Sequence, residues 1–403
     1  MSFALRPTLS ALLRNRSAPL LVALQIALAL AVLVNGLYIV HQKVEEMDRP
    51  TLIDESNLFG LESVAYTKHF DYDATLRADL VHLRSLPGVI SATPTNSVPL
   101  GLIGNRRATL TTLPHGKGIS AGADVYLMDE HAIDTLGVKL LAGRNFHANE
   151  VLAPETRSFV TPEVIVTQTL AQKLFPHENA LGRSVYDGNE SGTIIGIIAD
   201  MIGSGWSGLD SPVEVAIFPQ LPAHNPYGYL VRTAPGRRDA LMRQAEDQLA
   251  SSNQNRVIMH VRSVEENKKL LYATDRATGF FLSTVALLMV AVTCLGVFSL
   301  ATFNVSARTR QIGTRRAVGA RRRDIVRYFL VENGLITAAG VLLGGLLALG
   351  IGLWLSSAYS LPRLDLFYLV GGVLVILIVA QLAAWWPARR AASVPPSVAT
   401  RTI

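Results

Sequence analysis

The stretch that decides the fold is ARTRQIGTRRAVGARRRDIVR, residues 307–327, which carries eight arginines and one aspartate. It lies between two apolar runs, residues 279–303 and 330–356. Each run, as a helix rising about 1.5 Å per residue, is long enough to cross a hydrocarbon core of about 30 Å. Short loops beside membrane spans concentrate Lys and Arg on the cytoplasmic side. The loop at residues 304–327 is therefore predicted to be cytoplasmic, and it fixes the topology.

Two further apolar runs complete the predicted membrane region. The run at residues 20–40 follows a segment with three arginines and no acid, and the run at residues 366–386 ends in a tryptophan pair suited to the interface. A signal peptide is the alternative for the first run, but this run exceeds the roughly 7–15 apolar residues of a signal peptide. We expect an uncleaved first span and four spans in all, with both termini in the cytoplasm.

The two ends of the chain have their own predicted roles. Residues 1–19 are predicted to form a cytoplasmic amphipathic segment, and residues 387–403 a basic cytoplasmic tail. The apolar residues at near-helical spacing in the first segment are Phe3, Leu5, Leu9, Leu12 and Leu13.

Charge is segregated along the chain. Residues 41–275 contain 21 of the 37 Lys and Arg but 28 of the 31 Asp and Glu, so the net charge of +6 belongs to the segments beside the membrane. This distribution favours an anionic membrane surface and does not require nucleic acid. The one cysteine, Cys294, lies within a predicted span, so the domain at residues 41–275 must be held by its own core.

That domain is predicted to be an extracytoplasmic α+β domain of two lobes, inserted between the first and second spans. Two β-α-β patterns frame it, and the helices that enter and leave it lack Gly and Pro, which predicts stalks that overrun the bilayer. The predicted ranges are: stalks 41–49 and 263–278; first lobe 50–102 plus 223–262; β-rich inserted lobe 103–222; strands 63–70, 229–232 and 257–261; helices 74–86 and 238–249.

Two short motifs resemble enzyme signatures without their context. GSGWSG at residues 203–208 is followed by turn residues instead of a helix, and GISAG at residues 118–122 is interpreted as a flexible loop instead of a nucleophile elbow. The sequence has no GxxxxGK[ST] and no HExxH, so neither an ATP site nor a metal site of its own is predicted.

The predicted spans contain one ionisable residue, Glu332, with Arg327 about one turn earlier. Ion-driven transporters need carboxylates or histidines at mid-membrane, so the energy must come from elsewhere. Gln25, Asn35 and Gln381 are predicted to form interhelical hydrogen bonds. Gly340 and Gly344 have GxxxG spacing, which indicates close packing within one subunit in preference to a dimer seam.

Taken together, these features and four sequence motifs resemble the permease subunits of MacB/FtsX-type ABC transporters. ARTRQIGTRRAVGARRRDI is similar to the family signature ERTREIGIRRALGA-RRRDI, although Ala307 and Gln311 stand where the family usually has Glu. If those acids pair with the ATPase, the pairs are missing here. The other similar segments, in order, are LGVKLLAGRNF, VTQTLAQKLFP with ALGRSV and TIIGIIAD, and PARRAASVPPSVA.

The resemblance implies a permease dimer, formed with a second copy or a homologous permease, in a bacterial inner membrane with the large domain periplasmic. A cytosolic ATPase, expected as a separate chain because only a short basic segment precedes the first span, would bind a coupling helix at about residues 313–320. An adaptor and an outer-membrane channel are possible further partners. The implied ATPase contacts are Arg308, Arg310, Gln311, Ile312, Gly313, Arg315, Arg316, Ala317, Val318, Gly319 and Ala320; Arg321, Arg322, Arg323, Arg389 and Arg390 are predicted at the membrane surface.

Three functions are compatible with these features. The first is a non-catalytic ABC permease that relays ATP hydrolysis to its periplasmic domain by mechanotransmission, for efflux of a drug, peptide or other periplasmic substrate. The second, within the same family, is a regulator of a cell-wall hydrolase or a lipoprotein-release permease. The third is a membrane sensor without transport, which would normally carry a cytoplasmic output domain.

Overall fold

The computed structural model describes residues 17–48, 50–101, 107–154, 161–204, 213–222, 225–359 and 364–395. The chain divides into a membrane unit, Met1–Met47 with Asp275–Ile403, and a second unit, Asp48–Thr274. Most of the predicted N-terminal amphipathic segment and the end of the C-terminal tail lie outside the described residues.

The described elements, in chain order, are α1 Ser17–Met47, β1 Leu58–Ala65, α2 Tyr72–Ser85, β2 Val89–Thr95, β3 Arg107–Leu113, β4 Lys117–Met128, α3 Ala132–Leu136, β5 Leu140–Gly143, a 3-10 turn Ala148–Glu150, β6 Glu163–Thr167, α4 Gln168–Leu174, β7 Ser184–Asp187, β8 Glu190–Ile198, β9 Val215–Pro219, β10 Tyr227–Thr233, α5 Arg238–Ser252, β11 Arg256–Ser263, α6 Val264–Leu271, α7 Ala273–Ala307, α8 Thr309–Ala317, α9 Arg322–Tyr359 and α10 Leu366–Ala392. Within the described ranges, α1, α7, α9 and α10 are long and apolar enough to cross a membrane.

In the membrane unit α1 is the most buried of the four long apolar helices, and it packs most extensively against α9. The close approach occurs at the predicted glycine pair. A Cβ added at Gly340 would lie 2.7 Å from the carbonyl oxygen of Ala23, and one at Gly344 would lie 2.8 Å from Cα of Ala27. The GxxxG pair therefore packs against α1 of the same chain.

Polar side chains join the helices at three levels. Gln25 of α1 donates to the carbonyl oxygen of Val292 in α7 at 2.7 Å, and Asn35 of α1 donates to Ala348 O in α9 at 3.2 Å. Both residues were predicted to do so. Between α9 and α10 the donor is Asn333, which bonds Ala380 O at 3.1 Å; the prediction had assigned an interhelical bond of α10 to Gln381.

An ion pair joins the last turns of α1 to the start of α7. Lys43 Nζ of α1 lies 3.3 Å from Asp275 Oδ1 of α7. The predicted single stalk helix at residues 263–278 is wrong, because α6 ends at Leu271 and α7 begins at Ala273. Tyr272 between them has φ −89° and ψ 7°, which departs from helical geometry, although its N–H still donates to Lys268 O at 3.2 Å.

The first lobe of the second unit is a four-stranded antiparallel sheet in the order β11-β1-β10-β2, with α2 and α5 packed on it. The first predicted strand was placed five residues too late. Phe59 and Leu61 are fully buried in β1, whereas Tyr66 is 64% exposed. The apolar residues that face the core thus begin before residue 63.

A buried ion pair crosses this lobe. Arg256 of β11 and Asp79 of α2 form a salt bridge with side chains at most 2% exposed, and Arg256 Nη2 also donates to Leu249 O at 3.0 Å. Burial, followed by the charge of Asp79, raises the pKa of Tyr229 well above its usual value, so its hydroxyl stays protonated and donates to Asp79. The network ties both helices to the sheet, and no pattern in the sequence indicates it.

The second lobe is a seven-stranded mixed sheet in the order β5-β8-β6-β9-β4-β3-β7, with α4 on one face. Asn96 at the end of β2 joins the lobes, accepting from Leu127 N at 2.7 Å and donating to Val125 O at 2.9 Å. GISAG lies inside β4, so its interpretation as a loop was wrong. In the GSGWSG motif, Ser204 N donates to Asp124 at 2.9 Å, and the motif beyond Ser204 lies outside the described residues.

Candidate coupling surface

The arginine-rich loop folds into the short helix α8 and a tight turn. Thr309 Oγ1 donates back to Val305 O at 3.0 Å where α8 begins. Gly319 has φ +99°, a left-handed conformation that ends the helix, and Asp324 accepts from Arg321 N at 3.0 Å at the start of α9. The predicted helix at 313–320 therefore began four residues and ended three residues too late, and Val318, Gly319 and Ala320 form the turn.

An apolar cluster holds α8 against the ends of α9 and α10. Ile312, predicted as an ATPase contact, is only 4% exposed and packs with Ile325 and Phe329 of α9 and with Ala388 and Ala391 of α10. Gly313 beside it is also buried. These two residues position the helix and do not contribute to its exposed face.

A buried salt bridge provides the second attachment. Arg308 Nη1 lies 2.9 Å from Glu332 Oε2 and 3.1 Å from the Tyr328 hydroxyl. The Glu332 side chain is 3% exposed and that of Arg308 is 24% exposed. Arg308, predicted as an ATPase contact, is thus held by a carboxylate of α9. The sequence pointed only to Arg327 beside Glu332.

Two more of the predicted contact arginines have partners within the chain. The Arg315 guanidinium lies 4.8 Å from the centre of the Tyr328 ring, and Arg316 Nη1 donates to Val394 O. Both contacts fix the orientation of α8. The predicted contact residues left exposed include Arg310, Gln311 and Ala317 on α8 and Val318 in the turn after it, which is 85% exposed.

The predicted membrane-surface arginines lie beside this helix. Arg321, Arg322 and Arg323 are exposed at the start of α9, whereas Arg389 and Arg390 stack on Trp385 and Trp386 at 5.0 and 5.7 Å. We call the space between the ends of α9 and α10 the arginine groove. It has a volume of about 690 Å³ and is lined by Arg322, Arg323, Val326, Arg327, Leu330, Val331, Gln381, Trp385, Arg389 and Ala392.

Four spanning helices, an α/β domain between the first two and a basic helix braced on the spans define a membrane transport subunit of the permease class. Family models match both parts: the MacB-like periplasmic core domain over residues 20–263 and the FtsX-like permease C-terminal domain over residues 283–396. The chain belongs to the MacB/FtsX-type ABC transporter permeases, and the unit Asp48–Thr274 is its periplasmic domain. The family implies an ABC ATPase as partner.

Individual relatives are more distant. The macrolide export ATP-binding/permease protein MacB 2 of Aeromonas hydrophila is 25% identical over 98% of this chain and 59% of its own length. The MacB protein of Campylobacter jejuni with the same description is 26% identical over 79% of this chain and 48% of its own length. The chain thus spans about half the length of these curated relatives. The crystal structure of the periplasmic region of MacB from Actinobacillus actinomycetemcomitans aligns with 56% of this chain and 97% of that structure, at 15% identity and TM-score 0.34.

Proposed function

We propose that this chain is the permease of an ABC export machine that relays ATP hydrolysis by a cytosolic ATPase to its periplasmic unit. The ATP would be bound by that partner, and a second permease would complete a dimer in the inner membrane, with both termini in the cytoplasm. A periplasmic drug or peptide would be the cargo, and the relatives named for macrolide export favour a macrolide-like compound.

The observation that carries this proposal is the attachment of α8 to the spanning helices α9 and α10. Ile312 is buried on α9 and α10, and Arg308 is bound to Glu332, so α8 cannot move without moving the spans. The same helix exposes Arg310, and the turn that follows it exposes the apolar side chain of Val318. An exposed valine beside cationic side chains suits a protein surface with an apolar pocket and an acidic rim.

The lengths of the helices support a mechanical relay. Helices α1, α7 and α9 contain 31, 35 and 38 residues. At about 1.5 Å per residue, each is longer than a hydrocarbon core of about 30 Å. The Lys43–Asp275 pair joins α1 to α7 at the periplasmic end of the membrane unit. Movement of α8 would thus reach the segments that lead into the periplasmic domain.

The position of Glu332 argues against an ion-driven mechanism. A carboxylate that carries a coupling ion must exchange that ion with water. Glu332 is instead 3% exposed and bound to the guanidinium of Arg308. The pair with Arg308 attaches α8 to α9, which supports the exposed face of that helix as the proposed entry point for energy.

The test replaces Val318 with glutamate in the full-length chain. Because Val318 is 85% exposed, V318E should fold normally. Placed at the centre of an ATPase interface, the charge should weaken co-purification of the ATPase at least tenfold, since a desolvated charge without a partner costs several kcal/mol. Arg316 is unsuitable for this test because it also bonds Val394 O.

The matched control is V81E, which changes an exposed valine of α2 in the periplasmic unit, 68% exposed. V81E should retain the ATPase at the wild-type level. Recovery of V318E with the ATPase at wild-type yield would contradict the assignment of α8 as the coupling helix.

A further inference from the structure

We infer that the arginine groove is a specific binding site for one anionic phospholipid, separate from the ATPase surface on α8. The groove lies between the start of α9 and the end of α10, within the membrane unit. Arg322, Arg323, Arg327 and Arg389 line it, which is a high density of guanidinium groups around a space of about 690 Å³. Such groups bind phosphate oxygens through paired N–H donors.

Along α10, away from its C-terminal end, the lining of the groove changes from a charged to an aromatic and then to an amide side chain, which suits a phospholipid. On α10, Arg389, Trp385 and Gln381 follow one another at intervals of four residues and therefore share one face. The Arg389 guanidinium lies 5.0 Å from the centre of the Trp385 ring, which holds it over the groove. Gln381, one helical turn beyond Trp385, adds an amide to the lining.

The lining of the groove reaches deeper than a headgroup layer. Eight residues separate Gln381 from Arg389, a rise of about 12 Å along a helix. The headgroup region of each leaflet is about 5–8 Å thick, so the groove extends from the phosphates into the hydrocarbon. Its inner wall on α9 is formed by Leu330 and Val331, which suit the start of an acyl chain.

The amphiphilic lining favours a lipid over a protein partner. A protein interface of this charge would offer carboxylates to the arginines but would also need a large apolar side chain to cover Leu330 and Val331. A phospholipid supplies both groups in one molecule, and the membrane holds it at this depth. The exposed α8 surface, by contrast, has no such inner wall among its predicted contact residues.

The experiment measures lipid retention by the full-length chain. Delipidated protein in detergent is titrated with phosphatidylglycerol or with phosphatidylcholine of the same acyl chains, and bound lipids are counted by native mass spectrometry. The wild-type protein should bind one phosphatidylglycerol more tightly than the others and prefer it over phosphatidylcholine. The variant R323Q/R389Q should bind this lipid about tenfold more weakly or worse, because each arginine near an anionic lipid contributes to its attraction.

The chain offers a closely matched control, R321Q/R390Q. It makes the same change in charge at the same two helix ends. Arg321 lies just before α9 and Arg390 stacks on Trp386 at 5.7 Å, yet neither residue lines the groove. This control should keep the wild-type preference. Equal losses in both double variants would overturn the proposal in favour of a diffuse surface charge.

Two other results would also overturn it. If phosphatidylcholine bound as tightly as phosphatidylglycerol, the site would not recognise the headgroup. Loss of ATPase association in R323Q/R389Q with full retention of phosphatidylglycerol would assign the groove to the protein partner instead. Because V318E tests the α8 surface, a failure of that test leaves the lipid measurement unaffected.

Discussion

Gly344 is a residue at which the membrane unit should tolerate an added methyl group poorly. A Cβ there would lie 2.8 Å from both Cα and O of Ala27 and 3.0 Å from Cβ of Leu30. Carbon atoms in contact normally stand about 3.5–4.0 Å apart. The atoms of Ala27 belong to the backbone of α1 and cannot rotate away, so G344A must push α1 and α9 apart by several tenths of an ångström.

The expected cost follows from two opposing effects. Overpacking of a close interface costs about 1–3 kcal/mol. Alanine favours a helix over glycine by about 1 kcal/mol, which offsets part of that cost. Gly350 of the same helix has no atom within 4 Å of an added Cβ, so G350A gains the helix preference without the clash. The difference between the two variants isolates the packing cost and should be about 1–3 kcal/mol against G344A.

The assay is thermal unfolding of the full-length chain in detergent, with oligomeric state measured in parallel. G344A should unfold at a lower temperature than the wild type, G350A should not, and neither should change the oligomeric state. Equal unfolding temperatures for both variants would refute the argument from backbone contact. A change of oligomeric state in G344A without a change in unfolding would place the glycine pair at a subunit seam.

Two further predictions concern ion pairs. E332Q should destabilise the membrane unit by about 3 kcal/mol. This is the lower end of the range for breaking a buried pair, because Arg308 is partly exposed. In a double-mutant cycle measured by thermal unfolding, R308Q/E332Q should recover part of that loss. In the periplasmic unit, a hydrogen bond from Arg144 lowers the pKa of Glu150 below its usual 4.5. A carboxyl group whose pKa is lowered in the folded state stabilises the fold at pH values above its pKa in the unfolded chain. The stability advantage of the wild type over E150Q should therefore be present at pH 7 and shrink as the pH falls below 4.5. Chemical denaturation at several pH values measures this difference.

The sequence predicted the membrane architecture well because its signals are local. Each span is a continuous apolar run, and the interhelical bonds of Gln25 and Asn35 were expected from isolated polar residues within such runs. The bounds of α8 were less predictable, since a glycine can lie within a helix or end it. Gly313 is buried within α8, whereas Gly319 takes the left-handed conformation that ends it.

Contacts between distant residues were beyond the sequence. Arg308 and Glu332 are 24 residues apart, and nothing in their spacing distinguishes this pair from Glu332 with Arg327. The same holds for Asp79 and Arg256, separated by 177 residues in a lobe built from both ends of the domain. Each of these carboxylates is buried, so each needs a cation, but only the packing of the helices and strands decides which one.

The arginine-rich stretch illustrates the limit of reasoning from charge alone. Counted together, its arginines fix the side of the membrane, and that inference needs no contacts. Counted separately, they do different things: Arg308 binds Glu332, Arg315 stacks on Tyr328, Arg323 lines the groove and Arg310 is exposed on α8. A docking surface that used all of them would have to break the salt bridge that holds α8 in place. Under the proposed function, the partner would bind a small exposed part of the stretch, and the buried part would transmit the movement.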